Sequence, residues 1–253
     1  MRDFVCILLL LASLPAAAFE LRGTAEFEHR LTLNSSISGR VAEIHVSVGQ
    51  SVSADDPLIT LVSTGLQAQV DVARAEVDSL VPEIERAQIE LDKAQEHFER
   101  DALAKVVLVQ AQQNHAIARA RLDGAEARLA LAQFRLSQAM IRSPIDGIVL
   151  GVSTFPGQYI NTRVDDHTLI TVADNRSMSV RALLPVEFFR GDLLNQSVRV
   201  TYLQQQFDGR IVTIDRQVSV GANNHPAMVV QVLFTSDGTL PAGLPVRIEV
   251  GAN

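Results

Sequence analysis

The sequence predicts an α+β protein in which one small β-domain is split by a long α-helical hairpin and followed by a small β-barrel. Three observations support this architecture. A β-type pattern in residues 37–61 recurs in residues 141–172, and a heptad pattern of apolar residues fills the space between the copies. Short strand patterns then resume after Asp174.

The first 18 residues have the pattern of a secretory signal peptide. Arg2 precedes the apolar run FVCILLLLASL, and three alanines offer a cleavage site before Phe19. An uncleaved membrane anchor is the alternative, but the run is short and ends in small residues. The only cysteine, Cys6, lies inside this run, so cleavage would leave no disulfide and no thiolate chemistry. The sequence therefore predicts an exported protein.

The β pattern is an internal repeat at a spacing of 108 residues, without a gap. At this spacing DGIVLGVSTFPGQYI lies over SGRVAEIHVSVGQSV, so that Gly39 meets Gly147 and Gly49 meets Gly157. Neither copy is large enough to bury its own apolar face. We therefore expect the copies to pack on each other as two halves of one domain related by approximate symmetry.

The predicted domain boundaries follow from these patterns. They are a signal peptide (1–18), an N-terminal segment with the first half (19–64), the helical hairpin (65–140), the second half (141–174) and the β-barrel (175–253).

Residues 65–140 predict an antiparallel pair of helices with a heptad seam. The first arm has apolar or small residues at Leu66, Val70, Ala73, Val77, Leu80, Ile84, Ala87, Leu91, Ala94 and Phe98. The second has them at Ala111, His115, Ala118, Leu122, Ala125, Leu129, Ala132, Leu136 and Ala139. Arms of this length form a rod roughly 50 Å long. The many alanines allow the helices to approach closely, and antiparallel arms return the chain to the point where it left the β-domain.

Pro82 interrupts the first arm. Proline inside a helix removes a backbone hydrogen bond and crowds the preceding turn, so we expect a kink. The alternative is that Pro82 ends a shorter helix, which the unbroken heptad pattern disfavours.

The last 80 residues or so contain five or six strand patterns separated by turns, which is typical of a small barrel. The stretch VEFFRGDLL (Val186–Leu194) predicts one or two helical turns between strands.

Composition and spacing exclude several classes of function. The net charge of −7 argues against a nucleic-acid surface. The six histidines have no metal-ligand spacing, and His115 is best explained as a half-exposed seam residue. The acidic doublets Asp55-Asp56 and Asp165-Asp166 are best explained as solvated turn charges. We therefore expect no enzymatic activity, no cofactor and no metal site.

The order of half-domain, hairpin, half-domain and barrel resembles the HlyD-like periplasmic adaptor family, also called membrane fusion proteins. The residues that carry this resemblance are SGRVAEIHVSVGQSV…DPLITL, IRSPIDGIVL…PGQYI…LITVAD and the C-terminal LPAGLPVRIEV. The resemblance implies a split lipoyl (biotinyl-like) domain and covers residues 36–251.

Isolated lipoyl and biotinyl domains suggest a rival function, that of a carrier whose prosthetic group is attached to a lysine. The only two lysines, Lys93 and Lys105, lie in the predicted hairpin, and neither half-domain contains one. Without an amine there is no amide attachment, which excludes the carrier.

The resemblance implies partners on both sides of the periplasm. An inner-membrane transporter would meet the lipoyl and barrel domains, and analogy favours the proton-driven RND class over the ABC class. A TolC-type outer-membrane channel would meet the hairpin tip, and six copies would form a ring.

The hairpin tip is the predicted docking site. Relatives that engage such channels have an Arg, a Leu four residues later and then a Ser near the turn. Here Leu103 follows Arg100 by three residues, Val109 stands near the expected Ser, and Val106 replaces the usual Gly. The apolar run Lys105–Val109, which includes Val107, favours a partner at the tip. Alternatively, Arg100 is only a charged side chain that keeps an exposed helix end solvated.

The chain also departs from the family at its ends. A fourth, membrane-proximal domain built from both termini is expected to be absent, which suggests a minimal adaptor. The competing hypothesis is an envelope structural protein that uses the coiled coil only to oligomerise.

Overall fold

The computed structural model describes residues 19–100, 104–162, 168–189, 191–220 and 225–251. The predicted signal peptide, Leu103 and the doublet Asp165-Asp166 lie outside these ranges. The chain divides into two compact units. One is Thr32–Val172, and the other combines Met1–Leu31 with Ala173–Asn253.

Fourteen strands and two long helices make up the described chain. The strands before the helices are β1 (Phe19–Phe27), β2 (Arg30–Leu33), β3 (Gly39–Ile44), β4 (Ser51–Val52) and β5 (Pro57–Leu61). The helices are α1 (Thr64–Glu99) and α2 (Lys105–Ser137). The strands after them are β6 (Met140–Arg142), β7 (Gly147–Val152), β8 (Tyr159–Ile160), β9 (Ile170–Ala173), β10 (Ser177–Pro185), β11 (Ser197–Tyr202), β12 (Gln205–Val220), β13 (Pro226–Thr235) and β14 (Pro245–Val250).

Two four-stranded sheets form the split domain, and each takes strands from both sequence halves. Their strand orders are β2-β9-β7-β4 and β6-β5-β3-β8. Residues from both sheets share one core, in which Leu58, Ile59 and Ile170 have no exposed surface. Because each half contributes to both sheets, neither half has a complete core of its own.

The 108-residue repeat corresponds to a symmetric exchange of strands. Gly39 of β3 pairs with Ile160 of β8, and the equivalent residues Gly147 of β7 and Val52 of β4 also pair. The backbone hydrogen bonds repeat as well. Gly157 N–H donates to the Val41 carbonyl at 2.8 Å, and Gly49 N–H donates to the Val149 carbonyl at 2.8 Å. The predicted packing of two related halves is confirmed.

The shared Gly-Gln pair has a specific role in each turn. Gly49 and Gly157 adopt left-handed backbone angles, with φ of 86° and 91°, which glycine tolerates best. Each following glutamine caps the turn with its side-chain oxygen. Gln50 Oε1 accepts the Ser47 N–H at 3.0 Å, and Gln158 Oε1 accepts the Phe155 N–H at 3.3 Å.

The halves differ by three residues in one loop. His45 N–H donates to the Leu58 carbonyl, and Ser153 N–H donates to the Leu169 carbonyl. The donors are 108 positions apart and the acceptors 111, so the second half is longer between these points. The gap-free alignment therefore ends within this loop.

The barrel is closed, with antiparallel neighbours in the order β1-β10-β13-β12-β11-β14. Strand β1 seals it, although sequence analysis grouped residues 19–27 with the first half-domain and began the barrel at 175. The barrel boundary is therefore corrected to include this strand. The pairing is close: a Cβ on Gly23 would lie 2.4 Å from the Arg181 carbonyl oxygen.

Large buried side chains fill the barrel, among them Tyr202, Met178 and Ile248. Burial raises the pKa of the Tyr202 phenol, whose hydroxyl donates to the Pro241 carbonyl. In a surface turn, the hydroxyl and backbone N–H of Thr239 lower the pKa of the Asp237 carboxyl. Of the predicted helical segment after β10, a single 3₁₀ turn forms at Val186–Phe188.

The hairpin is inserted between neighbouring strands, as the sequence predicts. Strands β5 and β6 pair with each other, and the Leu61 N–H donates to the Ala139 carbonyl at 2.7 Å. The 36 residues of α1 span about 54 Å.

Burial along α1 and α2 follows the predicted seam. The buried residues of the two helices all belong to it; they are Val70, Ala73, Ala94, Ala118, Ala125 and Ala132. Helix α1 runs through Pro82, so the alternative of a helix that ends there is wrong. Pro82 is exposed on the face opposite the seam, where water can reach the carbonyl that its missing N–H leaves free.

Candidate functional site: the hairpin tip

The tip is formed by the end of α1 and the start of α2. Arg100 is the C-cap of α1, and its N–H donates to the Phe98 carbonyl. Ala104 is the N-cap of α2 in an extended conformation, and its carbonyl accepts the Val107 N–H at 3.0 Å. Arg100 and the valines that follow Lys105 therefore lie at the same end of the hairpin.

Arg100 is a solvent-facing charge with one local partner. Its guanidinium lies 2.5 Å from Glu96 one turn earlier, and the two side chains are 68% and 56% exposed. An exposed pair of this kind contributes little to stability, so a partner could take over the guanidinium at low cost.

Apolar side chains are exposed at the same end of the hairpin. Val106 is 72% exposed, and Val107 and Val109 are 45% and 38% exposed. Leu108 is half-buried and continues the seam towards the tip by one more position. Three exposed valines in one helical turn give the tip an apolar surface that a partner could bury.

Phe98 is a tip residue that sequence analysis assigned to the seam. It holds the last seam position of α1 but is 36% exposed, because the seam opens where the helices end. An aromatic residue at the last position of a heptad pattern is the signal that could have identified it.

The start of α2 lacks the features that stabilise an exposed helix N-terminus. No side chain caps it, its first turn has no acidic residue, and Lys105 places a cation at the positive end of the helix dipole. Val106 and Val107 add two β-branched residues with modest helix propensity. The sequence thus favours an apolar surface at the tip over local helix stability.

Leu103, the remaining predicted docking residue, lies outside the described residues. The docking role of Arg100, Leu103, Val106, Val107 and Val109 stays a prediction.

Turn acids elsewhere in the first unit have structural roles. Asp55 has a left-handed φ of 67°, and the Asp56 carboxylate accepts the Ser53 N–H at 2.7 Å. Across the described ranges, no three His, Cys, Asp or Glu side chains come together as a metal site. His115 is half-buried on the seam, where sequence analysis placed it. In the part of the chain that is described, no helix combines the length and apolarity that a membrane span requires.

Comparison with known proteins agrees with this architecture. The sequence profile of the CzcB-like barrel-sandwich hybrid domain matches residues 30–174, which is more than half of the chain. The nodulation protein NolF of Rhizobium meliloti (strain 1021) is 26% identical over 196 residues, covering 76% of this chain and 53% of NolF. The chain spans about half the length of the relatives that it matches in sequence.

Two solved structures share the fold. The membrane fusion protein Spr0693 from Streptococcus pneumoniae R6 superimposes with a TM-score of 0.71 at 20% identity, covering 93% of this chain and 99% of that one. MacA from Actinobacillus actinomycetemcomitans also has a TM-score of 0.71 at 20% identity, covering 92% and 78%. The predicted fold class, a split β-domain with an inserted hairpin followed by a barrel, is confirmed.

Proposed function

The chain belongs to the family of proteins with a CzcB-like barrel-sandwich hybrid domain, and from this membership we propose that it is a periplasmic adaptor of a tripartite efflux or export system. In this role it links an inner-membrane transporter to a TolC-type outer-membrane channel. It performs no chemistry itself, because energy and substrate selection belong to the transporter.

The observation that carries the proposal is the hairpin with its apolar tip. A rod of about 54 Å extends the reach of the first unit, and the start of α2 at its end carries valines that face solvent. An enzyme scaffold has no use for such a rod, whereas a connector needs both reach and an adhesive end.

The partners follow from the family. We propose an RND-type transporter rather than an ABC transporter, and self-association into a ring, for which six copies is the expectation. Export by a cleaved signal peptide at residues 1–18 places the protein in the periplasm in this proposal.

Cross-linking in living cells tests the tip. Val107→Cys is introduced in a Cys6→Ser background and labelled with a short cross-linker that has one thiol-reactive and one photoactivatable end. Gln113→Cys, exposed on the shaft of the same helix, is the control. Capture of an outer-membrane channel from Val107 but not from Gln113 supports the adaptor.

Capture of nothing but other copies of the chain would favour the envelope structural protein. Arg100→Glu combined with Leu103→Asp then separates docking from folding. We expect this variant to lose export while its melting temperature stays nearly unchanged, and the shaft variant Gln113→Glu/Ala116→Asp to keep both. Loss of folding in the tip variant would make the tip structural.

A further inference from the structure

The two lateral flanks of the hairpin carry opposite charge. The cross-hairpin ion pairs mark one flank: Arg121 Nη1 lies 2.6 Å from Glu83, and Arg128 Nη2 lies 2.8 Å from Glu76. The second flank is the opposite lateral face of the hairpin, formed by the residues of both helices on the other side of the seam.

We define the basic flank by its cationic residues, which outnumber its acidic residues Glu76, Glu83 and Glu90 by six to three. The six are Arg86, Lys93, Arg100, Arg121, Arg128 and Arg135. Residues of both helices, including Arg86, Ile117 and Arg121, line a shallow groove of about 300 Å³ on this flank.

We define the acidic flank by its seven carboxylates, which outnumber its three cations Arg74, Lys105 and Arg119. The seven are Asp71, Asp78, Glu85, Asp92, Glu99, Asp123 and Glu126. The first five recur every seventh residue along α1 without a break, and all five are exposed. Among the described residues, none of these five has an ion-pair partner.

The two flanks also match in height along the rod. The ion pairs place Arg128 level with Glu76 and Arg121 level with Glu83. Carried along the antiparallel helices, this register gives each of the five regularly spaced carboxylates a cation of the basic flank within about two residues, or roughly 3 Å, of its own height. The matched heights are Asp71 with Arg135, Asp78 with Arg128, Glu85 with Arg86 and Arg121, Asp92 with Lys93, and Glu99 with Arg100.

We propose that the acidic flank of one hairpin docks on the basic flank of a second copy that points in the same direction. When two copies are related by rotation about an axis parallel to the rod, their equivalent residues lie at equal heights. Each of the five carboxylates then lies level with a cation of the neighbouring copy. Because the two surfaces differ, the contact is heterologous, and repeating it closes a ring. This inference rests on the self-association that forms part of the proposed function and specifies its surface.

The groove adds an apolar contact to the charges. Ile117 is 52% exposed within it, and Arg86 and Arg121 line it together with Glu83 and Glu90. Because Arg121 is paired with Glu83, a neighbouring carboxylate row seated along this groove would cover Ile117 and meet Arg86 at the rim.

Cysteine cross-linking distinguishes the possible geometries. Glu85→Cys and Arg86→Cys, each in the full chain with Cys6→Ser, place thiols at nearly the same height on opposite flanks. We expect neither variant alone to form cross-linked dimers with a short bifunctional reagent, and a mixture of the two to form them.

Dimers from Glu85→Cys alone would show a two-fold contact and overturn the proposal. Oligomers that are detected by sedimentation but give no cross-link in the mixture of the two variants would also overturn the proposal. A chain that stays monomeric at every concentration in sedimentation would also overturn it, whereas channel capture from Val107 could still succeed and leave the adaptor role intact.

Charge exchange provides a second test. Glu85→Lys/Asp92→Lys and Arg86→Glu/Lys93→Glu exchange the charges at two matched heights. Each variant should weaken self-association by about tenfold, and the combined four-residue variant should recover most of it. Ala68→Lys/Ala75→Lys, on the outer face of α1, should change association little. No recovery in the combined variant, with circular dichroism unchanged, would contradict flank pairing.

Discussion

The split domain, a sandwich of the two four-stranded sheets, and the helical hairpin lie in the same compact unit but are stabilised differently. The sandwich buries Leu58, Ile59 and Ile170 completely, together with other large residues from both sequence halves. Five of the six buried residues in the hairpin helices are alanines. Since burial of apolar surface scales with side-chain size, the sandwich gains far more stability per residue, and the hairpin depends on its length and close helix approach.

This difference separates stability from recognition. The sandwich holds its fold through an interior that partners do not reach. The hairpin has little interior, so most of its side chains are available to a second copy or to another protein. Substitutions in the two regions should therefore differ in both size and kind of effect.

The largest loss of stability is expected from Ile59→Ala in the sandwich. Ile59 has no exposed surface, so the truncation removes buried methyl groups and leaves a cavity, at a cost of about 2–5 kcal/mol. Urea denaturation followed by circular dichroism measures this cost. Val72→Ala, at a 71% exposed site on α1, is the control and should be nearly neutral. A cost below about 1 kcal/mol for Ile59→Ala would contradict the contrast between the regions.

A smaller loss is expected from overfilling the seam with Ala125→Leu. Ala125 is completely buried between the helices, and a leucine there would force them apart at about 1–3 kcal/mol. Ala127→Leu, two residues later on the exposed face, is the matched control. Equal melting temperatures for both variants would mean that close approach of the helices does not stabilise the hairpin.

The hairpin was the region most open to prediction from sequence, because its contacts repeat every seven residues. The heptad pattern located the buried positions from Val70 to Ala132 and the point where the chain re-enters the sandwich. The 108-residue repeat similarly predicted that the halves pack together, since both copies preserve the glycine that the turn requires.

What the sequence did not reveal depends on contacts between distant residues. Strand β1 closes the barrel by pairing with β10 and β14, more than 150 residues away, and no local pattern in FELRGTAEF specifies those partners. The exposure of Phe98 depends on where the seam opens, which a periodic pattern does not indicate. Of the predicted docking residues, the exposed valines could be identified from the sequence because a run of apolar residues is unusual next to a turn.

The two symmetric turns provide a finer test within the sandwich. Gly49→Ala and Gly157→Ala place a side chain on left-handed backbone, which costs about 1–2 kcal/mol. Apart from the adjacent residues of the chain, no atom lies within 4 Å of the added Cβ at either site, so the cost is conformational and should be the same for both. Gly151→Ala, which also has open space but no positive φ, is the control. Costs that differ by more than about twofold would show that the turns are not equivalent.

The smallest effect is expected from the ion pairs that flank the seam. Glu76 and Arg128 are 43% and 59% exposed, so solvent screens their attraction, and Glu76→Gln should cost only about 0.5 kcal/mol. A double-mutant cycle with Arg128→Gln in low and high salt isolates the pair, and Glu85→Gln serves as the unpaired control. A coupling energy above about 2 kcal/mol would contradict a surface role. A small coupling energy would mean that the pair with Glu76 contributes little to stability. Arg128 could then leave Glu76 and bind the carboxylates of a neighbouring hairpin at little energetic cost.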